Sequence, residues 1–118
     1  MQQYELEAWL GDDHGLNDDQ ISELLAQADE IEERCDGDQD EMREELVTAY
    51  RLMIEEPDTV VAELAERRVA ASVAEANALA GLRQAATTLI GRGDATEAGF
   101  ARQAGVDRMT VRKWLGKQ

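Results

Sequence analysis

Near the carboxyl end, Arg108, Met109, Thr110, Arg112, Lys113 and Lys117 crowd into ten residues of chain, and Arg92 and Arg102 lie just upstream. These side chains suit one kind of chemistry. Guanidinium and ammonium groups bind phosphate oxygens and guanine edges, a hydroxyl such as that of Thr110 serves a phosphate, and a thioether can meet a thymine methyl. Elsewhere the reactive residue types do not assemble. Asp36, Asp38 and Asp40 match the first three ligands of a calcium loop, but its sixth and twelfth positions carry Glu41 and Val47 instead of Gly and Glu. His14, the one histidine, lies in a turn-like stretch between Asp13 and Gly15. No glycine-rich phosphate loop, nucleophile elbow or CxxC pair is present. The sequence predicts no enzyme, no metal and no cofactor.

Charge is divided sharply along the chain. Of 118 residues, 26 are acidic and 12 basic, for a net charge of −14. Residues 1–58 hold 20 of those acids against Arg34, Arg43 and Arg51, a balance of −17. Residues 59–118 hold 6 acids and 9 bases, a balance of +3, and all of that excess sits in 91–118. A polyanion is therefore repelled by one end and attracted by the other. The Glu and Asp runs at 29–33 and 40–45 read as solvated helix faces. Lone Cys35 cannot bridge internally, no stretch reaches the ~18–20 apolar residues of a membrane span, and the acidic N-terminus is unlike a secretion signal. These features predict a cytoplasmic protein.

The elements that must hold the cations are helical. Aromatics make up 4% of the chain while 43% of residues are hydrophobic, so burial comes from Leu, Ile, Val and Ala, which favours packed helices. Tyr4, Leu6, Trp9 and Leu10 suggest a short first helix ending around Gly11 to Gly15. Asn17 or Asp18 can cap a second, striped by Ile21, Leu24, Leu25, Ala28 and Ile31 at three- and four-residue steps. Cys35–Asp38 reads as a turn. Met42, Leu46, Ala49, Tyr50, Met53 and Ile54 stripe a third helix ended by Pro57, so the two form an acidic antiparallel hairpin. Asp58 or Thr59 can cap a long Ala-rich helix over 59–90, with Val61, Leu64, Ala65, Val69, Val73, Ala76, Leu79, Ala80, Ala86, Leu89 and Ile90 on roughly one side and Gly81 as a potential break. Arg68 and Glu75 spoil one heptad register and Arg83 another. An Ala-rich bundle or dimer therefore fits this helix better than a regular parallel coiled coil.

Residues 96–116 read TEAGFARQAGVDRMTVRKWLG. Phe100, Ala101 and Ala104 share the inner face of one short helix, and Val106, Val111, Trp114 and Leu115 supply that of a second. Ala101 is small enough for a close helix crossing, Gly105 tolerates positive φ at the turn, and Asp107 can cap the second helix. With Ala101, Gly105, Val106, Val111 and Trp114 in these places, the segment resembles the helix-turn-helix of bacterial DNA-binding regulators. The resemblance covers about 21 residues, or about 30 with the preceding helix, and leaves residues 1–58 unassigned. Many such units carry Ser or Thr where this chain has Asp107; an acid there must turn towards the backbone amides and away from phosphate.

Together these readings predict an all-α protein: an acidic helical region over 1–58, an oligomerising helix over 59–90 and a helix-turn-helix unit over 84–118. The resemblance implies a sequence-specific regulator of transcription, a repressor acting as a homodimer on double-stranded DNA through Arg108, Met109, Thr110, Arg112, Lys113, Lys117, Arg92 and Arg102. Two alternatives belong to other classes. One is an acidic protein-interaction module, a DNA mimic or anti-regulator using 1–58 against a protein partner; the other is a DNA-packaging or partition adaptor.

Overall fold

The computed structural model describes residues 1–117; Gln118, the last residue of the expected 84–118 unit, lies outside them. The fold is all-α. The helices among the described residues are α1 (Gln3–Leu10), α2 (Asp18–Cys35), α3 (Gln39–Ile54), α4 (Pro57–Arg92), α5 (Glu97–Ala104) and α6 (Arg108–Trp114). The chain divides into two compact units, Met1–Ala65 and a second from Glu66 onward.

In the first unit, local chemistry sets each helix end. The Asn17 side chain accepts from the Gln20 backbone N–H while the Gln20 side chain accepts from that of Asn17, both at 2.9 Å, a reciprocal cap that starts α2. Asp38 caps α3 by accepting from the Glu41 N–H at 3.0 Å. Between them the chain reverses through Asp36, a non-glycine residue at φ 45°. The expected Cys35–Asp38 turn is shorter by one residue: Cys35 is the last residue of α2 and is buried in the core. Ile21, Leu24, Ala28 and Ile31 of α2 pack there with Leu46 and Ala49 of α3 and with Leu6, which anchors α1. The connection before α2 is held by the Tyr50 hydroxyl, which donates to the His14 carbonyl at 2.7 Å, and by Trp9, set edge-on to Tyr50 at 6.4 Å. Ile54, expected on the α3 stripe, is exposed at the helix end.

Helix α4 begins two residues before the expected start. Pro57 is its first residue, and the Glu56 carbonyl accepts from the Thr59 and Val60 amides, so neither Asp58 nor Thr59 is the cap. Proline suits this position because its fixed φ is already helical and its missing N–H has no partner to lose. The first unit also reaches past residue 58, since Val60 is fully buried and Glu63 pairs with Arg51. The helix continues without a break through Gly81 and ends at Arg92, where Gly93 at φ 81° lets the Asp94 N–H reach back to the Leu89 carbonyl at 2.8 Å.

In the second unit, the last turns of α4 pack with α5 and α6. Ala86, Phe100, Ala101 and Val111 are buried, surrounded by Leu82, Leu89, Ile90, Val106, Trp114 and Leu115. Burying a valine such as Val111 completely contributes about 1.5–3 kcal/mol, a large share for so small a core.

Candidate nucleic-acid interface

The site is built on α5, the turn at Gly105 and α6. Thr96 starts α5, its hydroxyl accepting from the Gly99 N–H at 3.0 Å. Gly99 is there for space: a Cβ at this position would stand 2.9 Å from the Thr96 oxygen. Gly105 ends the helix at φ 70°, ψ 31°, and its left-handed conformation lets the Val106 N–H bond the Ala101 carbonyl at 3.0 Å. Two residues later the Asp107 carboxylate accepts from the Met109 N–H at 2.9 Å and starts α6. The acid thus turns to the backbone and serves as the cap.

With Val111 fully buried and Trp114 and Leu115 half-buried beside it, the helical period carries the remaining side chains of α6 outward. Arg108 and Lys113 are exposed, and Met109 is 50% exposed. Thr110 is half-buried on the flank. Arg92, at the end of α4, and Arg102, on α5, are exposed.

Arg112 departs from the expected outer face. One of its guanidinium nitrogens donates to both carboxylate oxygens of Glu97, at 3.0 and 3.2 Å, and the side chain is half-buried. Lys117 leans on the same carboxylate, its Nζ 3.6 Å from Oε1. Glu97 itself is only 14% exposed. The first turn of α5 therefore carries an acid that gathers two cations of the last helix and its exit. Sequence reading missed Glu97, Thr96 and Gly99. A threonine followed by an acid is a visible signal for a helix start, but the pairing of Glu97 with Arg112 depends on how α5 crosses α6.

In the first unit two of the three arginines are paired, and Arg43 is exposed. Arg34 donates to Glu45 at 2.8 and 3.0 Å. Arg51 forks onto both oxygens of Glu55 and also reaches Glu63. These hydrogen bonds hold the Glu45 and Glu55 carboxyls below the ordinary range and push both guanidiniums further up. For Glu45 the largest contribution comes from the Cys35 thiol, which donates to it. The same bond, helped by burial, pushes Cys35 up to about 11. Cys35, Glu41 and Glu45 form a group with metal-ligand atoms among the described residues. An open groove of about 370 Å³ is lined by α2, α3 and the start of α4, with Ile31, Ala49, Leu52 and Leu64 among its apolar residues and Glu30, Glu44 and Glu45 among its acids.

No described helix is long and apolar enough to cross a membrane. No family model matches the sequence, and neither a curated protein nor a solved structure matches it.

Proposed function

We propose that the chain is a sequence-specific regulator of transcription, a cytoplasmic repressor that binds double-stranded DNA as a homodimer. Helix α6 enters the major groove. One observation carries the reading: the left-handed Gly105 turn over buried Ala101 fixes α5 against α6, and this leaves Arg108, Met109 and Lys113 exposed together. Arg108 and Lys113 serve base edges and phosphates, Met109 the thymine methyls, and Thr110, Arg92 and Arg102 the backbone. Arg112 and Lys117 begin from Glu97, so their part in binding requires that carboxylate to yield them. The −17 of residues 1–58 repels random duplex and leaves the specific site as the competitive one.

Selection of bound sequences from a random duplex pool, followed by salt titration of the winner, tests this. A dimer using Arg92, Arg102, Arg108 and Lys113 on phosphates should show a log–log salt slope near −7. Arg108→Ala should remove sequence preference without loss of helicity. If no sequence is enriched, while replacing the acids of 29–45 destroys capture of a protein partner, the acidic interaction module is the better reading.

A further inference from the structure

Within the second unit, every residue of α4 from Glu66 to Gly81 is exposed. At 100° per residue, Val69, Ser72, Val73, Ala76, Leu79 and Ala80 fall on one face of this stretch, free of charge, and turned by roughly a third of a turn from the face that carries Leu82, Ala86 and Leu89 into the core. Val69 is 57% exposed, Val73 54% and Leu79 39%. Arg68 and Glu75 lie together along one edge of that face, seven residues apart, and neither has an ion-pair partner within the described chain.

We infer that this face pairs with the same face of a second copy in antiparallel orientation, with Arg68 of each copy against Glu75 of the other. The inference rests on the dimer part of the proposed function and gives it a geometry. In an antiparallel pair, like edges face each other, and a two-fold axis between Ala71 and Ser72 sets Arg68 opposite Glu75 twice. The apolar side chains then interleave: Val69 of one copy lies at the height between Val73 and Ala76 of the other. This axis pairs residues 66–77 with themselves, and within them Ser72 and Ala76 let the two backbones approach to the short end of the ~8–10 Å range, while Leu79 and Ala80 lie beyond the overlap. A parallel pair would place the Arg68–Glu75 edge against the opposite edge, where Glu66 can meet Arg68 but Asn77 and Gln84 offer Glu75 no cation, so only the reversed pair satisfies both charges. The charges that disrupt a parallel heptad are thus complementary to themselves when one helix is reversed.

The test uses the full-length chain and two charge reversals, Arg68→Glu and Glu75→Arg, at exposed positions. Sedimentation equilibrium should show the native chain as a dimer. Each reversal alone creates two like-charge contacts per dimer and should weaken association about tenfold. An equimolar mixture of the two variants should recover native affinity as a heterodimer, because each chain then offers the charges the other lacks. The double variant should recover it as a homodimer. A native dimer that either reversal leaves unchanged, or a mixture no tighter than its components, overturns the antiparallel pairing while leaving dimerisation standing. A native monomer, with or without bound duplex, overturns both, and the DNA selection then judges the helix-turn-helix reading separately.

Discussion

Two of the three arginines in Met1–Ala65 are held by neighbouring carboxylates, Arg34 by Glu45 and Arg51 by Glu55 and Glu63, while Arg43 is exposed. From Glu66 onward acids are scarce, and Arg92, Arg102, Arg108 and Lys113 stay exposed, while Glu97 gathers Arg112 and Lys117. Both units close a small core of comparable design, with side-chain caps at the starts of α2, α3, α5 and α6 and left-handed residues after α2, α4 and α5. The core chemistry therefore does not separate them. The composition of the outer faces does: the first unit is strongly acidic and the second carries a basic excess.

The sharpest way to break the comparison is Val111→Asp. It places a charge without a partner in the second core, which should cost about 3–5 kcal/mol, and amide spectra should lose the dispersed signals of α5 and α6 while those of α2 and α3 remain. A smaller loss follows from the cap that sets α5. Thr96→Ala should lower the stability of the second unit by about 1 kcal/mol in denaturant unfolding, and Gly99→Ala should lower it as well, because its Cβ displaces the threonine oxygen.

Glu97→Gln sharpens the contrast instead. It releases Arg112 and eases Lys117, so random-duplex binding should steepen by about one charge per protomer in the salt slope, a gain of roughly threefold per protomer between 200 and 50 mM salt. Unchanged slope would mean that Arg112 does not reach phosphate even when freed. The smallest effect belongs to the first unit. Cys35 binds its proton more tightly when folded, so its contribution is complete below pH 9 and declines as pH rises towards about 11. Glu45 behaves oppositely: its folded pKa is lowered, so its contribution is present above pH 4.5 and is lost as pH falls through the folded value. Thermal unfolding across pH should show both shoulders, and Glu45→Gln should flatten them.

Much of the scaffold was legible. The stripes Ile21–Leu24–Ala28–Ile31 and Phe100–Ala101 with Val111 follow the helical period, and Asn17, Gly105 and Asp107 act through the backbone within a few residues of themselves. Errors fell where a choice among near neighbours was open. Asp58 and Thr59 are good caps by type, yet Pro57 already fits the first helical position, so the start moved upstream. Cys35 looked like part of a turn because Asp36 and Gly37 follow it, but its side chain points into the core.

The order of residues alone determined helix periods, the caps at Asn17 and Asp107, the stop at Gly105 and the division of charge, because each depends on groups within about a turn of one another or on simple counts. Tertiary structure decided which cations remain exposed. Glu97 and Arg112 are 15 residues apart, and only the crossing of α5 over α6 brings carboxylate and guanidinium within hydrogen-bond reach. Tertiary structure likewise left the face of α4 at Val69, Val73 and Leu79 uncovered. An apolar stripe states that contact with water is unfavourable; packing determines which surface relieves it.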